Sequence, residues 1–327
     1  MTISDLPDDV LLEIFNMHLG HQRDNEDAWH VLVHVCRRWR CLVFALPGHL
    51  HLRLLCTHKS PVKEALNVWP ELPIVVRACY YDLSQPRTPA LETNVISALE
   101  QHDRVCEIHL GGYPNLFLGI FPAMDKPFPS LVKLKIESKV TNGLMIPHSF
   151  LGGSAPRLQS LSLDGVLYPA IRKLLLATHE LVSLHLYHLP RSGRGYRYTS
   201  PKAMVNALSV LTKLKSLHLT FHLNTPLSQP QKTSGLPPSF SPVVLPALTS
   251  INLYGDKKYL EDFVSRIDTP LLANITIRFI DLSVSVTPPL RDFISRTETF
   301  GACSKIDAEP SGGHAKIEFL RRDREGV

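Results

Sequence analysis

Residues 181–186 read LVSLHL, and residues 214–219 read LKSLHL. Both have the form apolar-x-x-apolar-x-apolar, whose end alternates with period two, as a strand with one buried face does. The same form recurs on either side of this pair as VCEIHL from Val105, LVKLKI from Leu131, LQSLSL from Leu158, LTSINL from Leu248 and LANITI from Leu272. Successive copies begin 26, 27, 23, 33, 34 and 24 residues apart. Helix-compatible stretches separate them, among them YPAIRKLLLATHE (168–180) and SPKAMVNALSVLTK (200–213), often opened by Pro or Ser. A unit of this length cannot bury its apolar side alone, so the copies are expected to stack as strand-helix-strand units around one continuous core.

Two earlier segments, LHLRLL (50–55) and LPIVVRA (72–78), with SPVKEALNVW between them, read as degenerate units of the same array. At the far end PLRDFISRTETF (289–300), CSKIDA (303–308) and HAKIEFL (314–320) are expected to close it with a helix and two strands, because a stack of repeats needs an end cap. The Pro- and Ser-rich segment 224–242 accounts for one long interval and reads as a flexible insertion.

If the repeated apolar positions point inward, the residues between them point to the opposite face of the sheet. His109, Lys135, Ser162, Asp164, His185, Tyr187, His218, Asn252, Tyr254 and Arg278 all fall there. This polar and aromatic set is the candidate surface for a protein target, since amphipathic rings serve well as interface anchors.

Composition narrows the class. The chain has 327 residues, 44% of them hydrophobic and 20% charged, which is enough apolar material for a substantial core. A net charge of +5 is well short of the dense basic stripe of a dedicated nucleic-acid binder, so no nucleic-acid partner is expected. The six cysteines, Cys36, Cys41, Cys56, Cys79, Cys106 and Cys303, form no recurring pair and suit reduced thiols. The opening MTISDLPDD lacks the basic and apolar regions of a secretory signal, and no apolar run is long enough to span a bilayer. These features lead to the expectation of an intracellular protein, cytoplasmic or nuclear, with no membrane partner.

Ahead of the array lie two apolar helical patterns. Pro7 suits a first helical turn, and Asp8 and Asp9 sit at the positive end of the helix dipole. Val10, Leu11, Ile14 and Phe15 then make one apolar face. A second series, Trp29, Leu32, Val33, Val35, Cys36, Trp39, Leu42 and Val43, keeps helical spacing until Pro47 and Gly48, predicting one helix. Residues 1–48 thus form a helical unit and 49–327 the repeat array. So small a unit leaves some apolar surface uncovered by itself.

The string LPDDVLLEIF (6–15), followed by VCRRWRCLV (35–43), resembles an F-box. The resemblance implies a helical plug that docks on the Skp-type adaptor of a cullin-RING ubiquitin ligase. It implies a contact strip of Leu6, Pro7, Val10, Leu11, Ile14 and Phe15, completed by Val35, Cys36, Trp39 and Leu42, with Trp39 alternatively an internal residue. The connection NMHLGHQRDNEDAWH (16–30) departs from the family in being longer and more polar. The repeats resemble an irregular leucine-rich-repeat horseshoe from which the Asn that usually follows the strand is absent. Together the two parts resemble the F-box and leucine-rich-repeat proteins common in mushroom-type fungi. The expected fold class is therefore α/β, an N-terminal helical F-box module followed by a curved leucine-rich-repeat-like solenoid. The expected function is that of the substrate-recognition subunit of a Skp-cullin-F-box ligase in ubiquitin-dependent degradation.

Catalytic signatures are missing from the sequence. HLGGYPN (109–115) lacks the spacing and the Lys of a phosphate loop, and no G-x-S-x-G elbow occurs. His30 and His34 stand at i, i+4, with Cys36, Cys41, His49, His51, Cys56 and His58 downstream, but no C-x-x-C or H-E-x-x-H frames them. The expectation is a non-enzyme with no cofactor and no metal. The rival readings are an F-box scaffold acting outside ubiquitylation and a small-ligand or metal-dependent enzyme built on the repeat sheet.

Overall fold

A computed structural model describes residues 3, 6–21, 28–59, 61–79, 89–139, 143–166, 168–189, 200–221, 242–280, 287–297, 307–311 and 314–320. The insertion expected over 224–242, Pro242 to one side, lies outside the described residues.

Among the described residues the chain opens with three α-helices, α1 (Asp8–His21), α2 (Trp29–Val33) and α3 (Arg37–Ala45). Where the apolar spacing predicts one helix over 29–43, the backbone breaks between α2 and α3. Cys36 is extended (φ −158°, ψ 171°), and its thiol accepts the Trp39 amide at 3.5 Å as the cap of α3. Arg40 donates its Nε to the Val33 carbonyl at the end of α2 (2.9 Å). Both faces of the break are therefore hydrogen-bonded, which makes it a built turn.

Strands and helices then alternate. The parallel strands are β1 (Leu54–Thr57), β2 (Ile74–Cys79), β3 (Val105–Gly112), β4 (Lys133–Ser138), β5 (Ser160–Asp164), β6 (Ser183–Leu189) and β7 (Ser216–Phe221), with β9 (Ser250–Gly255) and β11 (Asn274–Phe279) after a two-residue β8 (Val243–Val244) and β10 (Ile267–Asp268). Between them lie α4 (Val62–Val68), α5 (Pro89–Leu99), α6 (Pro114–Ile120), α7 (Tyr168–Leu176), α8 (Pro201–Leu208) and α9 (Lys257–Ser265). The end is α10 (Pro288–Arg296), β12 (Asp307–Ser311) and β13 (His314–Leu320).

Among the described residues the main sheet has eleven strands in the order β1-β2-β3-β4-β5-β6-β7-β9-β11-β13-β12, and β8 pairs with β10 separately. Its first nine strands are parallel; β13 and β12 close it antiparallel. All seven apolar-x-x-apolar-x-apolar copies are strands, and they neighbour one another in chain order. The leading Leu of each later copy is buried just ahead of its strand: Leu131, Leu158, Leu181, Leu214, Leu248 and Leu272.

Register explains the conserved spacing of the pattern within this chain. Leu134, Leu161, Leu184, Leu217, Ile251 and Ile275 form one buried ladder, and Ile136, Leu163, Leu186, Leu219, Leu253 and Ile277 a second. Such ladders align only without a one-residue slip, which would turn each anchor outward. Helices cover this side with Leu175 of α7, Leu208 of α8, Phe263 of α9 and Phe293 of α10. Ser200 caps α8 by accepting the Ala203 amide, and Asp256 caps α9 through the Tyr259 amide. The β4–β5 connection departs from the helix expectation: Phe150–Gly153 makes a 3-10 turn instead, with Leu151 and Gly152 at positive φ. Two adjacent glycines cannot sustain a helix there.

One apolar cluster joins Leu11, Phe15 and Trp29 of the opening helices to the sheet and runs on to Phe293. Trp29 fixes the junction: its indole donates to the Arg53 carbonyl (2.8 Å), and its ring packs edge-on against Trp69 at 5.2 Å. Among the described residues no helix is long and apolar enough to cross a membrane.

Candidate functional site

Two surfaces gather the residues singled out in the sequence. The first lies on the opening helices. Leu11 and Phe15 are fully buried, with the Phe15 ring 4.7 Å from Trp39. This corrects their assignment to a contact strip: both are sealed in the core, Phe15 against Trp39 of α3, and have no surface left to offer. Trp39 is partly buried in the same contact and so takes the internal role. Leu6, Ile14 and Leu42 are half-buried. Pro7 and Cys36 are exposed, as are Val10 (42% exposed) and Val35 (54%).

Arg38 brings these parts together. Its guanidinium pairs with the Asp8 carboxylate at 2.6 Å and donates to the Leu6 carbonyl at the same distance. The first turn of α3 is thereby tied to the first turn of α1, and the break at Cys36 leaves Val35 turned outward beside them. Ile3, Met17 and Val31 add further exposed apolar side chains to the unit. A helical unit with a filled interior thus still carries uncovered aliphatic surface, a feature that marks interaction sites when contiguous.

The second surface is the outward side of the parallel sheet. Every candidate lies there in register. His109, Lys135, Ser162, His185, His218 and Asn252 form one row across six strands. Glu137, Asp164 and Tyr187 stand in the next row, and Tyr254 and Arg278 continue it beyond Thr220. Arg278 is exposed and the other candidates are half-buried.

Chemically this face has two halves. Over β3 and β4 it is charged: Glu107 pairs with Lys133 at 3.0 Å and with Arg53, while Glu137 takes Lys135 at 2.8 Å and His109 at 3.1 Å. Over β6 and β7 it is neutral and aromatic. The rings of Tyr187 and His218 lie 4.5 Å apart, and the Tyr187 hydroxyl meets His185 Nδ1 at 3.3 Å. Ser183 and Thr220 meet the Nε2 atoms of His185 and His218, each at 3.1 Å. Burial lowers the pKa of both imidazoles. That of His218 falls to about 4, with His185 and Arg278 adding to the effect of burial. Burial likewise raises the Tyr187 and Tyr254 phenols. The patch is therefore uncharged at neutral pH, with rings able to stack and hydroxyls able to hydrogen-bond.

A cleft of about 420 Å³ at the start of the strands is lined by Arg53, Arg104 and Arg157 among others. Arg104 donates to the Leu72 and Pro70 carbonyls and Arg53 pairs with Glu107, so two of its cations already serve the fold. His30 and His34, a weak metal pair in the sequence, both lie against Trp69, His30 stacked at 5.0 Å. Instead, the structure assembles a cluster that the sequence reading missed: Cys79, His109 and Glu137, from three neighbouring strands. No protein-family model matches the chain, and a search of curated proteins finds no similar sequence.

Proposed function

We propose that this chain is a substrate receptor of a Skp-cullin-F-box ubiquitin ligase. In this reading residues 1–48 are the F-box module, docking on the Skp-type adaptor, and residues 49–327 are a leucine-rich-repeat-like solenoid whose concave strand face holds a target protein. The chain makes and breaks no bond itself; it raises the effective concentration of the target near the ligase's transfer machinery. The observation that carries the reading is the exposed Pro7, Val10, Val35 and Cys36 on a helical unit whose interior is already filled by Leu11, Phe15 and Val43. These exposed residues belong to the same two strings, LPDDVLLEIF and VCRRWRCLV, that resemble the F-box.

Retention of the purified chain on an immobilised Skp-type adaptor tests this. Val10→Asp combined with Val35→Asp changes two solvent-facing positions and spares the core. It is expected to reduce retention at least about tenfold, since two charges placed in an apolar contact lack partners there. Equal retention of both forms would contradict the reading.

A further inference from the structure

We propose that Cys79, His109 and Glu137 form a three-ligand site for a zinc-class divalent cation. The three residues stand on β2, β3 and β4, and their ligand atoms all lie within 4.8 Å of one another. His109 Nε2 is 3.6 Å from Cys79 Sγ and 3.1 Å from Glu137 Oε2. Ligand atoms sharing a tetrahedral zinc, with bonds of about 2.3 Å to sulfur and 2.0–2.1 Å to nitrogen and oxygen, lie roughly 3.3–3.6 Å apart. The two spacings to His109 already match these to within a few tenths of an ångström, and the Cys79–Glu137 pair, within 4.8 Å, closes by about 1 Å at most to complete the set.

Sheet register explains the convergence. Cys79 pairs with Gly111, and Gly111 with Glu137, so the middle residue of that row carries no side chain. Cys79 and Glu137, two strands apart, face each other across this gap, and His109, two residues before Gly111 on the same side of β3, reaches both. The sequence hides the arrangement because its members are 30 and 28 residues apart and no short motif links them.

Hydrogen bonding accounts for the cluster less well. A neutral imidazole nitrogen either carries a proton to donate or a lone pair with which to accept. One proton on Nε2 points along one line, toward sulfur or toward carboxylate. A cation among the three satisfies all of them. Thiolate, imidazole and carboxylate together suit zinc, and two anionic ligands balance its charge. Burial, then Glu137, raise the Cys79 thiol, while Lys135 and Arg77 act the other way; metal coordination deprotonates such a thiol. Lys135 holds Glu137 Oε1 at 2.8 Å, and Oε2 faces His109 Nε2 at 3.1 Å. The cluster is half-buried, so its fourth coordination position opens on the outward sheet face. None of the ligands belongs to the opening helices, and the site stands or falls independently of the ligase reading.

Cobalt titration of the purified, metal-stripped full chain under reducing conditions provides the test. Thiolate-bound cobalt absorbs in the near ultraviolet, and the expected result is a band that saturates at one equivalent and is displaced by zinc. The band should disappear in Cys79→Ser and persist in Cys41→Ser, an exposed cysteine of α3 that lies on none of the three strands. Glu137→Gln keeps the shape of the side chain and guards against misfolding of the cysteine variant; it should weaken cobalt binding by more than about a hundredfold, beyond the roughly 10–100-fold that loss of an outer-shell partner costs. Absence of a one-equivalent band, a band that survives Cys79→Ser, or unchanged affinity in a folded Glu137→Gln would each overturn the proposal.

Discussion

Val10 and Phe15 stand on the same short helix and meet opposite fates, one 42% exposed and the other fully buried. Apolar spacing put both on one face, because positions i and i+5 on a helix are separated by about 140° and a broad stripe can include them. Which of the two turned inward depended on α3, and so on the break at Cys36 that no periodicity could reveal. The outward residues of the sheet were more legible. A strand has only two sides, so each of the ten candidates from His109 to Arg278 could be assigned a face from the alternation alone. Their chemistry was less so, since the depressed pKa of His218 comes first from its burial in the folded sheet and then from His185 and Arg278 on other strands. With its folded-state pKa near 4 against an ordinary 6.5, this imidazole binds its proton more readily in the unfolded chain. Its contribution is accordingly neutral above about pH 6.5, and stability falls as the pH drops from there toward 4. In proton NMR the His218 ring should titrate near pH 4, and His218→Gln should flatten the acid limb of the stability profile. A midpoint at 6.5 or above would refute the assigned environment.

Strands were readable as elements because each copy repeats one local rule, and the connections were readable only where a cap or a clear period marked them. Ser200-Pro201 announced α8, whereas Gly152-Gly153 replaced a helix with a tight turn. Gly165, just after β5, shows how strictly such a turn is specified. Its φ is +66°, and a Cβ there would lie 2.6 Å from the Ser138 carbonyl oxygen. Its own carbonyl accepts the Leu144 amide at 2.7 Å, so the turn also anchors the segment beyond β4. Gly165→Ala should therefore destabilise by about 1–3 kcal/mol, through positive φ and the close backbone approach together. Urea unfolding of the variant checks this; a change within about 0.5 kcal/mol, typical of an unremarkable surface position, would contradict it.

For the whole molecule, the stacking of the strands followed from right-sized repeats with helices between them, and the short apolar runs at the end marked two further strands but not their antiparallel pairing. Less visible was the continuity of the core. Trp29 is bonded to Arg53 and packed against Trp69, so the opening helices and the first strands share one interior. A sequence divided at residue 48 gives no sign of this, because the contacts join residues 24 and 40 positions apart. The consequence for the proposed receptor is rigidity: a target on the sheet would be held at a fixed orientation to the adaptor, as positioning for ubiquitin transfer requires. In the proposed receptor the uncovered apolar surface at the start of the chain binds the adaptor. Hydrogen exchange of the full chain, alone and saturated with a purified Skp-type adaptor, tests it most directly. Adaptor binding should slow exchange in peptides covering residues 6–14 and 35–42, with the strands from β5 to β9 unchanged. Protection confined to the sheet, or none anywhere in the chain, would contradict it.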